Sequence, residues 1–284
     1  MNAVGWGSER RVMGSGFGWN DERAERDTLA VFATAQAMDR PDTLDRGPGR
    51  RLAFRHRRGD GPTVLFLPGY KSDMEGGKAS ALDSWAAARG RAMLRFDYSG
   101  CGLSEGEFEA QTLAGWRDDA LAVIDGVEGP LVLVGSSMGG WLMLLCALAR
   151  PERVQALVGI AAAPDFTDWG FDDLQKAAIR ESGRLEEPSP YGDEPYVTTR
   201  AFWESGEALR LLGGEIGIDC PVRLLHGLDD SDVPWQVSIR LMERLASDDA
   251  RAILVKGGSH RLSRPGDIAL LIETVESLLS DKDA

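Results

Sequence analysis

The 284-residue chain predicts an α/β fold: a mostly parallel sheet flanked by helices on both faces, with an insertion late in the chain. Three observations carry this. Strand-like and helix-like segments alternate from Leu52 onward, the runs read as strands are short and apolar, and 43% hydrophobic content suffices for one sizeable core.

A strand over 51–56 comes first, followed by a buried one over 63–67 that Pro68-Gly69 ends. Residues 78–88 are alanine-rich, with Leu82 and Trp85 at helical spacing, and a strand over 92–96 follows. Residues 111–124 alternate apolar and acidic positions as an amphipathic helix does, with Leu113, Trp116, Ala120 and Val123 on one side. The apolar run Leu131-Val132-Leu133-Val134 leads through a glycine-rich turn into a helix ending at Ala149, then a strand over 154–160. Beyond the insertion at about 165–219 come strands over 222–225 and 252–255 and a closing helix over 266–279. No internal repeat is apparent. The expected organisation is an extension over 1–37, disordered or loosely helical, and one domain over 38–284 that contains the insertion. Within the extension, Asn20 could cap a helix over 21–38.

Composition narrows the function classes. The 32 basic and 45 acidic residues leave a net charge of −13, which argues against nucleic acid or an anionic membrane as a bulk-charge partner. Cys101, Cys146 and Cys220 are odd in number and dispersed, as free thiols in a reducing compartment would be, and Cys146 belongs to the core. No apolar run approaches a bilayer span, so stable membrane insertion is not expected. Arg10 and Arg11 suit an organelle presequence, but the acidic cluster from Asp21 does not; the expected location is cytoplasmic.

Gly135-Ser136-Ser137-Met138-Gly139 sits between a strand and an apolar helix, the setting of a nucleophile elbow, in which a sharp turn lifts one serine hydroxyl clear of the backbone. Ser137 is that serine. It needs a base and an orienting acid, which in this setting follow in the order serine, acid, histidine. Of three histidines, His56 precedes the elbow and reads as a solvated strand-end residue. His226 precedes Gly227 and reads as shaping the turn that presents the acid, whereas His260, in a late glycine-rich loop, fits the base. Asp229, Asp230 and Asp232 are all candidates for the acid, and spacing does not choose among them. The backbone N–H groups of Met138 and Tyr70 are the expected oxyanion donors.

Other motifs fail. Gly76-Gly77-Lys78 lacks the first glycine and the hydroxyl residue of a phosphate loop, and the histidines and cysteines are too scattered for zinc. Asp97 lacks a glycine fingerprint upstream, so a structural role in its own loop is expected.

The stretch from His226 through Asp230 to Val233-Pro234 resembles the H-G-x-x-D-x-x-V-P signature of α/β-hydrolases, whose fifth position is the triad acid; the resemblance selects Asp230. Further segments are Phe66-Leu67-Pro68-Gly69-Tyr70, Lys78-Ala79, Arg95-Phe96-Asp97-Tyr98-Ser99-Gly100, 135–142, Ala149-Arg150-Pro151-Glu152 and 223–227. Together they resemble the mitochondrial acyl-protein thioesterase and acyl-glucuronide esterase group of that superfamily, from about residue 50 to the C-terminus and most weakly over 166–219.

The resemblance implies an α/β-hydrolase fold with a small helical cap insertion, and a serine esterase or thioesterase working through an acyl-enzyme without cofactor or metal. Its expected partners are a small acyl ester or thioester, or an acylated protein. It also implies S-acyl cysteine thioesters and acyl glucuronides as substrates, with Arg180, Arg184 or Arg200 available to a glucuronate carboxylate, although each reads better as a surface charge. Cap helices over 172–184 and 198–212 are expected to line an acyl pocket, with most of Phe166, Trp169, Phe171, Tyr191, Tyr196, Phe202 and Trp203 packing the cap onto the body. A peptidase on the same scaffold, or a ligand receptor that keeps the pocket without turnover, are the rival readings.

Overall fold

The computed structural model describes residues 40–188 and 195–280. The chain divides into Met1–Pro41 and Asp42–Ala284. The extension over 1–37, the helix expected over 21–38 and Tyr191 lie outside the described residues.

One eight-stranded sheet organises the second unit. Its strands are β1 (Asp42–Asp45), β2 (Arg51–Arg57), β3 (Asp60–Leu67), β4 (Arg91–Phe96), β5 (Leu131–Ser136), β6 (Val154–Ile160), β9 (Val222–Gly227) and β10 (Ala250–Val255), in the spatial order β1-β2-β4-β3-β5-β6-β9-β10. The β1/β2 and β2/β4 pairs are antiparallel, and every pair from β4/β3 to β9/β10 is parallel. Strand β1 carries no apolar signal in the sequence. It is an edge strand of Asp42, Thr43, Leu44 and Asp45, largely exposed, and pairing rather than burial holds it.

Eight helices cross between or flank the strands: α1 (Gly77–Arg89), α2 (Leu113–Asp125), α3 (Met138–Ala149), α4 (Phe166–Trp169), α5 (Asp173–Ser182), α6 (Arg200–Glu207), α7 (Gln236–Arg244) and α8 (Pro265–Ser280) among the described residues. The short amphipathic α7 was not foreseen. Helix α2 starts where Thr112 accepts the Gly115 N–H, and α1 ends on Gly90 in the left-handed region.

The parallel strands are buried on both faces, and period-2 geometry sends successive side chains to opposite cores. Leu65 and Leu67 of β3 and Leu131 and Leu133 of β5 join Trp116 of α2 and Trp141 of α3 on one side. On the other, Val64, Phe66, Val132 and Val134 meet Leu82 and Trp85 of α1 and Leu271 and Val275 of α8. Each such fully buried aliphatic side chain contributes about 1.5–3 kcal/mol, so a strand slipped by one residue would exchange the two cores wholesale.

The insertion forms a cap, but not of two long helices. Helix α5 matches the first expected helix: Asp172 and Gln175 form a reciprocal capping box, and Gly183 in the left-handed region ends it. The second is shortened: α6 spans Arg200–Glu207, and the expected first two residues belong instead to β8 (Tyr196–Thr199), which forms a hairpin with β7 (Arg184–Glu187). The β-branched run Val197-Thr198-Thr199 favours the strand, and Thr199 then accepts the Phe202 N–H to start the helix. Asp165 ties the two ends of the insertion together, its carboxylate accepting from Leu211 N at 2.7 Å and Leu212 N at 2.8 Å.

Cys101, Cys146 and Cys220 are free, the first two buried. Asp97 is structural: its carboxylate accepts from Met74 N and Leu103 N. No helix among the described residues is long and apolar enough to cross a membrane.

Candidate active site

Glycine dictates the geometry at the end of β5. A Cβ on Gly139 would sit 2.1 Å from the Leu67 carbonyl oxygen, and one on Gly135 would sit 2.4 Å from that of Gly139. Strand and helix therefore meet backbone to backbone. Between them Ser137 adopts φ 54° and ψ −119°, a conformation glycine favours, and three backbone hydrogen bonds hold it there. Its N–H donates to Ile160 O at 2.9 Å, and its carbonyl accepts from Gly140 N at 2.9 Å and Ala163 N at 3.1 Å. The side chain faces a cavity.

Two loops at the carboxyl ends of β9 and β10, the edge where open α/β sheets bind ligands, bring Asp230 and His260 to that serine. They also meet backbone to backbone. Cβ atoms on Gly227 and Gly258 would lie 2.2 Å from Gly258 O and 2.9 Å from Gly227 Cα, and Asp229 N donates to Gly258 O at 2.9 Å. Asp230 Oδ2 consequently lies 2.9 Å from His260 Nδ1, and His260 Nε2 lies 3.1 Å from Ser137 Oγ. With the carboxylate as an acceptor, Nδ1 carries the ring proton and Nε2 is free to accept from the serine hydroxyl.

Asp230 is fully buried as a side chain. Burial pushes its carboxyl upward, but hydrogen bonds from His226, His260 and the Val233 N–H outweigh that and hold it well below the ordinary carboxylate range. Asp229 and Asp232 are exposed on the same loop, so the structure separates the three neighbours that spacing does not. His56 lies within β2, half-buried rather than solvated at a strand end.

The oxyanion candidates converge on the elbow. Gly69 lets the loop after β3 approach so closely that a Cβ there would lie 3.4 Å from Ser137 Cβ. Tyr70 and Met138 both line the cavity, and among the described residues neither backbone N–H donates to a backbone carbonyl.

The cavity has a volume of about 710 Å³. Its cap wall carries Phe166, Trp169, Phe171 and Tyr196, so more of the insertion's aromatics face the cavity than expected. Phe202 and Trp203 are buried in the packing beneath. The lining also includes polar groups, among them Ser72, Asp73, Lys78, Asp232 and Arg261 from the body and Glu187 and Thr198 from the cap. The three cap arginines are engaged elsewhere: Arg180 stacks over Trp203, Arg184 pairs with Glu109 and Glu186, and Arg200 donates to Ile179 O.

Three supports escaped sequence reasoning. Lys78 Nζ donates to Arg261 O at 2.6 Å and so anchors the loop carrying His260; burial, then Arg261, pushes its ammonium down to about 8. The Tyr70 hydroxyl donates to Val197 O at 2.6 Å and Lys71 Nζ to Pro195 O at 2.7 Å, tethering β8 beside the elbow. The Gly227/Gly258 contact was visible only as paired glycines next to histidines.

Comparison with known proteins agrees with this architecture. The alpha/beta hydrolase family profile matches residues 64–269. The chain is 41% identical over 247 residues to the mitochondrial palmitoyl-protein thioesterase ABHD10 of Homo sapiens, covering 85% of this chain and 79% of that protein. It is 43% identical over 241 residues to the Mus musculus protein of that name, covering 83% and 81%. Among solved structures, alpha/beta hydrolase domain-containing protein 10 from mouse superposes with a TM-score of 0.81 at 41% identity, covering 86% of this chain and 99% of that one. A putative hydrolase from Agrobacterium vitis superposes with a TM-score of 0.79 at 40% identity, covering 84% and 98%.

These relatives correct the cytoplasmic expectation, because they are named as mitochondrial proteins. Dispersed free thiols indicate only a reducing environment, which does not single out the cytosol.

Proposed function

The chain belongs to the alpha/beta hydrolase family, and from that premise we propose that it cleaves carboxylic esters or thioesters through an acyl-enzyme on Ser137. The continuous run of hydrogen bonds from Asp230 through His260 to Ser137 is the observation that carries this reading. His260 Nε2 removes the hydroxyl proton as Oγ attacks the acyl carbon, and Asp230 keeps the ring in the required tautomer and stabilises the cation that forms. The N–H groups of Tyr70 and Met138 receive the charge that develops on the carbonyl oxygen, where loss of one donor typically costs about 100- to 1,000-fold in turnover. His260 then returns the proton to the leaving alkoxide or thiolate. Water, activated by the same imidazole, releases the acid in a second half-reaction.

The substrate class we propose is a long-chain acyl thioester, with S-acylated protein cysteines as the natural form. The relatives named palmitoyl-protein thioesterase support this. So does the cavity lining, which offers Phe166, Trp169, Phe171 and Tyr196 to an acyl chain beside polar groups such as Ser72 and Lys78 for the leaving group.

A fluorophosphonate probe followed by peptide mapping tests the chemistry. Label is expected on Ser137 and lost in Ser137→Ala; label on another residue, or none on folded protein, overturns the mechanism. Matched acyl thioesters, p-nitrophenyl esters and aminoacyl amides of increasing chain length test the substrate. Long thioesters are expected to show the highest kcat/KM, and preference for amides would favour a peptidase.

A further inference from the structure

A second imidazole meets the carboxylate that orients the base. His226 is the penultimate residue of β9, its side chain is fully buried, and no step of the proposed reaction uses it. Its Nε2 lies 2.9 Å from Val233 O and 3.2 Å from Asp230 Oδ2. Both neighbours can only accept, so Nε2 carries a proton and shares it between them. Nδ1 lies 2.7 Å from Ser238 Oγ of α7, which is itself fully buried. In the neutral ring that nitrogen accepts, and the serine hydroxyl donates to it.

Asp230 is therefore saturated. Oδ1 accepts from Asp232 N at 2.9 Å and Val233 N at 2.8 Å, while Oδ2 accepts from both His260 Nδ1 and His226 Nε2. Four donors fill the roughly four acceptor positions that a carboxylate offers. Rotating the group would leave a buried donor or acceptor unmet, which is costly away from water.

We propose that His226 is a positioning residue for the hydrolytic reaction: its Nε2–H holds the Asp230 carboxylate in the orientation that meets His260 and divides the charge that Oδ2 offers the base. The Val233 carbonyl and the Asp230 carboxylate fix that tautomer, and Ser238 donates to the nitrogen left over. The inference rests on the reading of Asp230 as the acid. Asp229 and Asp232, the neighbouring ionisable groups, are exposed on the same loop, and the contact from α7 is the uncharged Ser238.

Removing the His226 donor places the full Oδ2 charge on His260. The protonated base is then favoured, so the low-pH limb of kcat/KM moves to higher pH as turnover falls through loss of alignment.

The test measures kcat/KM against pH with p-nitrophenyl butyrate for the wild type, His226→Gln, His226→Phe and Asp230→Asn. Phenylalanine keeps the ring volume and removes the donor; kcat is expected to fall by about 10- to 100-fold at similar KM, with the low-pH limb displaced upward. Glutamine restores an N–H and is expected to recover most of the turnover and the original limb. A folded His226→Phe protein with the wild-type limb overturns the proposal. Should that variant not fold, side-chain nitrogen NMR of the wild type decides: a neutral His226 protonated on Nε2 is expected, and protonation on Nδ1 overturns it. Asp230→Asn separates the two readings. Wild-type turnover there removes Asp230 as the acid, whereas an inactive Asp230→Asn beside an unaffected His226→Phe removes only His226.

Discussion

Replacing Ser137 by glycine should remove activity and at the same time make the protein more stable than the corresponding alanine variant. Ser137 occupies φ 54° and ψ −119°, where a Cβ is strained and glycine is at ease. Holding a non-glycine residue in such a region costs about 1–3 kcal/mol. Glycine gives back about 0.4–1 kcal/mol through its greater freedom in the unfolded chain. The serine makes no side-chain capping bond to α3, so capping does not distort the comparison. Alanine and glycine both lose the hydroxyl and its bond to His260, which leaves backbone strain as the main difference. The net gain is about 0–2.6 kcal/mol, centred on about 1.3, or about 3–5 °C in the midpoint for a domain of this size. Scanning calorimetry of Ser137→Ala and Ser137→Gly at neutral pH measures it. A glycine variant that melts below the alanine variant would refute the claim that the fold stores strain at the elbow, and turnover close to the wild-type level in either would refute Ser137 as the nucleophile.

Gly139→Ala should be severe, because its Cβ would lie 2.1 Å from Leu67 O and drive the loop bearing Tyr70 away from the elbow; a kcat loss of about 100-fold or more is expected in steady-state assays. Asp165→Ala should lower stability by about 2–4 kcal/mol in urea unfolding, since it strands the N–H groups of Leu211 and Leu212, and Asp165→Asn, which retains one carbonyl, by less. Asp230 titrates lower when folded than when unfolded, so below about pH 4 the unfolded chain binds protons first. Its contribution is complete above that pH and is lost as the pH falls, so the gap in midpoint between wild type and Asp230→Asn should narrow on acidification; a constant gap would contradict the carboxylate's role. Lys78 titrates lower when folded, near 8 rather than the ordinary value of about 10.4, so its contribution to stability rises with pH across that window, and Lys78→Met should flatten the rise in pH-dependent unfolding.

Local pattern alone was enough for the sheet, the helices on its two faces, the elbow and the late histidine. Runs such as Leu131-Val132-Leu133-Val134 can be buried only as strands covered on both faces, and Gly135 and Gly139 mark a contact too close for side chains. Among Asp229, Asp230 and Asp232 the residues themselves are chemically equal neighbours. What separates them is the packing of Gly227 on Gly258, which buries one carboxylate between two imidazoles and leaves the others in water. Strand β1, the β7/β8 hairpin, the Lys78 anchor and the partnership of His226 with Ser238 likewise depend on contacts between separate segments, and no periodicity in a single segment encodes a contact between two of them.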